Sequence, residues 1–392
     1  MRARLRVAFI TALGLLVLVA LSGAIVGTYR DNDFFQFWAG PHALLEGASP
    51  YDFAWSSAFH ARYASTALHQ PSLPPQWTTA YPLWTFVLLL PLGLLPFEVA
   101  APAWLALQAA AIAIGIAFLV NIALRTAPLR DRVVLGGFAL AFQPAWVAIA
   151  GGNITGALFG LLVGAIAAAR ADRPRLAGAL LGLLIVKPQA FLLVAIAFVV
   201  ASHARGKLLA GAAAVAMPLV LVSFALRPTW LPEWLRMSAA LQSSTVSNAT
   251  LWTLDRAVVS GSVVAPALLA LLIAVVAWWW AVRRPTPHAL IAATIPVSLL
   301  AAPRGWSYDE LHLLVTVAAT LEAFAASTSR LAWLAGLAAV TVVGPWVLYA
   351  VAFSRGGEEL SVLTPLLLFA FFLGADARIG ARRPSVSPSS VA

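Results

Sequence analysis

The chain has no cysteine. Disulfides, thiolate metal sites and thiol nucleophiles are excluded together, and the redox compartment is left undetermined. Charge is scarce as well: Asp, Glu, Lys and Arg make up 10% of the 392 residues, against roughly 25% in soluble domains. Only two of the basic residues are lysines, Lys187 and Lys207. No Gly-rich loop closes on Lys-Ser or Lys-Thr, which excludes a P-loop nucleotidase. Nor is there the apolar–polar alternation of a membrane β-barrel, or an internal repeat visible by eye.

What remains is apolar. Hydrophobic residues make up 61% of the chain and the mean hydropathy is +0.89. A helical span needs about 20 mostly apolar residues to cross the hydrocarbon. Runs of this kind recur at Val7–Val26, Tyr81–Pro96, Ala100–Leu124, Val133–Ala150, Ile154–Ala169, Leu176–Ala201, Leu208–Leu226, Ser262–Val282, Ala289–Ala302, Leu311–Ala326, Leu331–Phe353 and Leu360–Leu373. In lipid every backbone amide must be satisfied within its own segment, so such runs fold as helices. The expectation is an all-α polytopic membrane protein, a bundle of about 11–13 transmembrane helices. The count is a range because strict alternation leaves the arginines of 125–132 and 170–175 on the outside, against the positive-inside rule. Breaking Leu176–Ala201 into two half-length helices at Lys187-Pro188 removes part of the conflict, because proline breaks a helix interior.

The net charge of +10 sits largely in short connections between apolar runs. It reads as cytoplasmic anchoring and gives no reason to expect a nucleic-acid partner. Arg2, Arg4 and Arg6 precede Val7–Val26, a run longer than the apolar core of a signal peptide, so a retained first span is expected with its N-terminus inside. Residues 27–79 then form a large first extracytoplasmic loop that mixes acidic groups with aromatics, a composition suited to short helices at the membrane–water interface. A second polar loop is expected at 227–253, and a disordered cytoplasmic tail at 377–392 after a single membrane domain over 1–376.

An ionisable group inside an apolar run is costly and therefore a functional candidate. Lys187 lies within Leu-Leu-Ile-Val-Lys-Pro-Gln; an anion such as a lipid phosphate at the end of a broken helix would offset its cost, and a lysine snorkelling to the interface is the alternative. Asp31 and Asp33 follow the first run. A carboxylate there can act as general base towards a hydroxyl or can simply cap a helix. The third cluster spans residues 302–312, with Arg304, Tyr308, Asp309, Glu310 and His312. Arg304 can hold a phosphate in bidentate fashion, and Asp309 and His312 share a helical face; a solvated loop with internal ion pairs is the other reading. His42, His60 and His69 lack the spacing of a metal site. No cofactor is expected, and a role for a divalent metal stays open.

These clusters fall in a familiar order. Asp33-Phe-Phe-Gln-Phe-Trp-Ala-Gly-Pro-His-Ala-Leu-Leu-Glu-Gly-Ala-Ser-Pro-Tyr-Asp52 resembles the first extracytoplasmic loop of glycosyltransferase family 87. That family's pattern is an aspartate, aromatics, then Leu-Leu-x-Gly-x-x-Pro-Tyr-Asp. Tyr81-Pro-Leu with Leu-Leu-Leu-Pro-Leu-Gly-Leu-Leu-Pro96 is similar to its next element. Gly152-Asn153 sits where the family often has Gly-Gln-Asn. Gly182-Leu-Leu-Ile-Val-Lys-Pro-Gln189 matches its Lys-Pro-Gln helix break, and Pro303 to Tyr308-Asp309 resembles a late Pro-x-x-x-x-Tyr-Asp motif. The likeness covers roughly residues 1 to 315.

The family belongs to the GT-C superfamily. The resemblance implies a GT-C-like bundle that transfers a sugar from a polyprenyl-phosphate donor to a glycolipid or glycan acceptor, on the extracytoplasmic side of a bacterial cytoplasmic membrane. It implies that Asp33 is the base, with Asp31 as runner-up, and that Lys187 and Arg304 face the donor phosphate. Gln189, Asn153, Tyr308, Asp309 and His312 would contact substrate. Mannosyltransferases of the family carry Ser-Pro-x-x-Trp followed by paired histidines; here the segment reads Ala302-Pro-Arg-Gly-Trp-Ser-Tyr-Asp with the single His312. Two other functions fit the same span count. A lipid-linked glycan flippase would show repeats and central charge pairs, and a polysaccharide ligase or polymerase would carry its large loop late in the chain.

Overall fold

The structure is a computed structural model that describes residues 25–63, 81–124, 129–243, 248–258, 263–324 and 329–380. Most of the expected first span Val7–Val26, the stretch 64–80 with His69, and residues 381–392 of the expected tail lie outside the described residues. The helices run in the order α1 (Asp33–Leu45), α2 (Phe53–Ala61), α3 (Leu83–Leu88), α4 (Leu90–Gly93), α5 (Phe97–Ala123), α6 (Leu129–Ala141), α7 (Gln143–Ala150), α8 (Thr155–Arg170), α9 (Pro174–Leu183) and α10 (Pro188–Ala201). There follow α11 (Arg205–Leu226), α12 (Trp230–Ser243), α13 (Leu251–Val258), α14 (Val264–Arg283), α15 (Pro287–Ala301), α16 (Leu314–Phe324), α17 (Arg330–Ala338), α18 (Gly344–Arg355) and α19 (Leu363–Gly380). No strand occurs among the described residues.

Five segments are long and apolar enough to cross a bilayer: Phe97–Ala123, Arg205–Leu226, Val264–Arg283, Arg330–Arg355 and Glu359–Asp376. Leu129–Ala141 with Gln143–Ala150 makes a sixth if its 44° bend lies within one span. Thr155–Arg170, Pro174–Val186, Pro188–Ala201 and Pro287–Ala301 are shorter apolar helices. The chain is an all-α polytopic membrane protein. The run Tyr81–Pro96 differs from expectation: it folds as the short α3 and α4, not as one span, because Pro91 lacks the amide hydrogen and crowds the preceding turn.

The chain divides into two compact units. The first comprises residues 1–117, 144–188 and 204–246. At its centre is α1, whose Phe34, Phe35, Phe37 and Trp38 are buried. Phe37 stacks on Trp104 of α5 with centroids 5.4 Å apart, and Trp38 meets Phe97 edge-on at 5.2 Å. Such a run of aromatics leaves α1 no continuous polar face, and the helix is enclosed by its own unit. Elsewhere in the unit α9 and α11 lie so close that a Cβ on Gly178, Gly182 or Gly211 would run into the facing backbone, the close approach that small residues permit between membrane helices.

The second unit comprises residues 118–143, 189–203 and 247–392. Helix α15 is buried nearly all round. It starts cleanly, with Pro287 in the first turn and the Thr286 hydroxyl accepting from Ala289 N–H at 3.3 Å, so two of the amides left open at a helix start are accounted for. Against α15, the Ser298 hydroxyl donates to the Ala190 carbonyl at 2.6 Å and the Thr316 hydroxyl to the Ala292 carbonyl at 2.7 Å. Hydroxyl-to-carbonyl bonds of this kind join helices where lipid offers no hydrogen-bond partner.

Candidate active site

Asp33 is the first residue of α1. One carboxylate oxygen, Oδ1, accepts from Gln36 Nε2 at 3.1 Å; the other, Oδ2, accepts from Asn153 Nδ2 at 2.7 Å. Gln36 is one turn along the same helix, so it folds back naturally. Asn153 is 120 residues away and is brought in by a tight turn. Gly152 takes φ +65°, a left-handed conformation that disfavours any residue with a Cβ. A Cβ there would come within 2.6 Å of Phe34 Cβ. The turn is fastened by Trp104 Nε1, which donates to the Gly152 carbonyl at 2.7 Å, and by the Tyr29 hydroxyl, which donates to the Ile149 carbonyl at 2.6 Å.

The start of α8 continues the arrangement. Asn153 Oδ1 accepts from the Thr155 amide at 3.0 Å and from its hydroxyl at 2.7 Å. Gln108 Oε1, from α5, accepts from the Ala157 amide at 2.8 Å. Two amides of the first turn are thus capped by side chains from outside the helix. Sequence reading placed Asp33 and Asn153 as candidates without pairing them, and it missed Gln36 and Trp104 altogether; neutral polar and aromatic side chains leave no charge in an apolar run to draw notice.

Asp31 is engaged differently. Its Oδ1 lies 3.4 Å from Nε2 of the buried His60, and that nitrogen is also 3.0 Å from the Arg30 carbonyl. The runner-up aspartate therefore faces a histidine of α2.

Lys187 ends a short 3-10 turn, Leu184–Val186, that separates α9 from α10. The break follows from Pro188: it cannot donate to the Leu184 carbonyl, and Lys187 N–H takes that bond at 3.1 Å instead. The Ile185 carbonyl is satisfied by Trp84 Nε1 at 2.9 Å. The lysine side chain is 5% exposed, and its Nζ lies 5.9 Å from the centre of the Tyr81 ring, a cation–π contact. Tyr81 in turn meets Phe37 at 4.8 Å between centroids, and Phe37 is one turn from Asp33 on α1. The carboxylate and the amine thus belong to one unit, linked through Phe37 and Tyr81.

The second polar loop is also attached to this unit. Arg227 holds Glu233 with two hydrogen bonds, 2.7 Å from Nε and 3.0 Å from Nη2, and the Ser49 hydroxyl reaches the same carboxylate at 2.6 Å. Burial alone would raise the Glu233 pKa; the bonds from Arg227, Ser49 and Thr229 and the Arg227 charge outweigh it and bring the carboxyl down to about 2.

In the second unit, residues 302–313 form a compact polar turn. Ser307–Leu313 is a 3-10 helix, in which positions three apart eclipse one another. His312 Nδ1 meets the Asp309 backbone carbonyl at 2.7 Å. Asp309 Oδ2 accepts from Trp306 N–H at 3.2 Å, and Glu358 accepts from Ser307 N–H at 2.7 Å. His312 packs edge-on against Phe191 at 4.8 Å, two residues beyond Gln189. Asp309, Glu310 and His312 are buried, whereas Arg304 and Tyr308 are partly exposed. Burial pushes the Glu310 carboxyl well above its ordinary range, and the charges of Glu358 and Asp309 add to the effect, against a hydrogen bond from Thr364. Among the described residues no three His, Asp or Glu side chains converge as a metal-ligand set.

No curated protein and no solved structure gives a significant match to this chain. The model of glycosyltransferase family 87 matches residues 77–303, more than half of the sequence, and this span takes in Tyr81, the Gly152-Asn153 turn and the Lys187 break. The protein is a membrane glycosyltransferase and belongs to glycosyltransferase family 87.

Proposed function

We propose that the protein transfers a hexose, mannose in the first instance, from a polyprenyl-phosphate donor to a hydroxyl of a glycolipid or glycan acceptor, with inversion at the anomeric carbon. The reaction is assigned to the extracytoplasmic face of a bacterial cytoplasmic membrane. The observation that carries the reading is the pairing, on one unit, of a carboxylate held by two amides with a nine-tenths-buried lysine at a helix break. In the proposed step the acceptor oxygen attacks the anomeric carbon and its proton passes to the Asp33 carboxylate. The bond from that carbon to the phosphate oxygen breaks, and its electron pair leaves on the polyprenyl phosphate. The Lys187 ammonium offsets the negative charge that develops there, inside a site of low dielectric. One displacement suffices, so no covalent enzyme intermediate is required.

In the second unit, the partly exposed Arg304 and Tyr308 are assigned to substrate, Arg304 to phosphate and Tyr308 to sugar. Gln189, Asp309 and His312 remain proposed substrate contacts, Asp309 and His312 alongside the internal bonds that shape their turn. The test is transfer of labelled mannose by purified wild-type and Asp33→Asn protein, given polyprenyl-phosphate mannose and a mixed glycolipid acceptor pool. Wild type consumes the donor; Asp33→Asn loses roughly 10²–10⁴-fold in rate. Full activity in Asp33→Asn would overturn the assignment of the base. Failure of the wild type with every polyprenyl-phosphate sugar would shift the reading to a flippase.

A further inference from the structure

We infer that Asn153, with Gln36 as its counterpart, is a positioning residue that orients the Asp33 carboxylate, and is not itself a substrate ligand. The inference rests on the reading of Asp33 as the base and makes that reading more specific.

The chemistry of the partners fixes the orientation of both amides. A carboxylate can only accept, so the NH₂ end of each amide must face Asp33. For Asn153 the opposite end is determined independently: the Thr155 amide can only donate, and it points at Asn153 Oδ1 at 3.0 Å. Asn153 is thereby gripped at both ends, with its oxygen on the start of α8 and its nitrogen 2.7 Å from Asp33 Oδ2. It is 0% exposed, so both of its polar ends are used within the protein and no face is offered to a sugar. Gln36, 5% exposed, supplies the second donor, to Oδ1. Each carboxylate oxygen therefore carries one amide N–H.

Two consequences follow for a base at this place. The plane of the carboxylate is set by donors from two separate places in the chain, one on its own helix and one on the turn before α8. Hydrogen bonds donated to a carboxylate also favour its ionised form, the form that can accept a proton from an acceptor hydroxyl. The grip is supported from behind: Gly152 in its left-handed conformation, Trp104 on the Gly152 carbonyl and Tyr29 on the Ile149 carbonyl hold the turn against Phe34. None of these three need touch substrate for the turn to matter.

The experiment measures steady-state transfer from polyprenyl-phosphate mannose by Asn153→Ala, Asn153→Ser and Gln36→Met beside wild type and Asp33→Asn. A positioning role predicts that kcat falls roughly 10–100-fold in Asn153→Ala while KM for donor and acceptor stays within about twofold. It also predicts that the acid limb of the pH–rate profile moves to higher pH, because the carboxylate has lost a donor that favours its ionised form. Arg30, Asp31 and His60 beside α1, and Lys187 across Tyr81, are the same in every protein compared, so they cannot produce that shift. Gln36→Met keeps the size of the side chain and removes only its hydrogen bond; it should move the limb in the same direction by less. Asn153→Ser serves if the alanine variant does not fold. Unchanged kcat with raised KM would make Asn153 a substrate ligand and overturn the inference. So would reduced kcat with an unmoved acid limb, which is the signature of structural damage alone. A fully active Asp33→Asn would instead remove the reading of the base on which the inference stands, and the two failures are told apart by that control.

Discussion

A single positive charge in an apolar run states its own cost. Lys187 is one of two lysines in the chain and is almost wholly enclosed, and a lysine deep in a membrane helix is disfavoured by about 2.5–3.5 kcal/mol on insertion scales. The contact with the Tyr81 ring offsets about 0.5–2 kcal/mol of that cost, and an anion met during turnover would draw on the same charge. Lys187→Met, of similar length and no charge, should lower the transfer rate by roughly 10²–10³-fold in protein that still unfolds cooperatively in detergent. A variant that loses stability and activity in parallel would show that the amine is structural. Lys187→Arg should recover little, because a planar guanidinium does not fit a place shaped by a compact ammonium.

Among the elements, the turn before α8 and the start of α12 carry most of the consequences. Gly152→Ala places a methyl group against Phe34 and Tyr29 in a left-handed backbone, a conformation that costs a non-glycine residue about 1–3 kcal/mol. Because the turn can relieve the clash only by lifting from α1, the Asn153–Asp33 bond should be lost with it. Gly152→Ala is expected to match the loss of transfer in Asn153→Ala and to lower stability, which Asn153→Ser does less. At α12 the sign of a pH effect is defined. The Glu233 carboxyl sits at about 2 in the folded protein, below the ordinary carboxylate value of about 4.3. The stability it provides is therefore complete above that ordinary value and is lost as pH falls towards 2. Glu233→Gln should lower the unfolding midpoint at pH 7 by an amount equivalent to roughly 1.5–3 kcal/mol, with the gap to wild type closing as the pH is taken below 4. A gap independent of pH would mean that the carboxylate charge is not what ties this helix to Ser49.

At the scale of the whole molecule, what the sequence discloses depends on whether a feature is local. Membrane helices declare themselves by composition, and the break at Lys187-Pro188 by its proline; both were legible, whereas Asp33, Lys187 and residues 302–312 drew notice as candidates by their charge. The unpairing of Tyr81–Pro96 into two short helices was equally local, but a mean over the run hides the effect of Pro91. Contacts between distant segments were not legible. Nothing at Gly152-Asn153 announces Asp33 as its partner, and the enclosure of α1 depends on Trp104 and Phe97, which read in sequence as ordinary apolar residues of a span. The same blindness hides an ion pair in the second unit: Asp131, 3% exposed, is bonded to Arg330, 199 residues later, with Arg130 at 3.6 Å. Each residue alone reads as a charge at the end of a helix, yet together they join α6 to α17. Taking a carboxylate out of water is expensive, so the pair is worth little beyond an apolar replacement, whereas removing Arg330 leaves the buried Asp131 with only Arg130 beside it. Arg330→Met should therefore destabilise the protein by about 3 kcal/mol, and adding Asp131→Leu should restore most of the loss. A double variant no more stable than the single one would show that this contact depends on charge itself, and that the second unit is held at this point by electrostatics where the surrounding helices are held by packing.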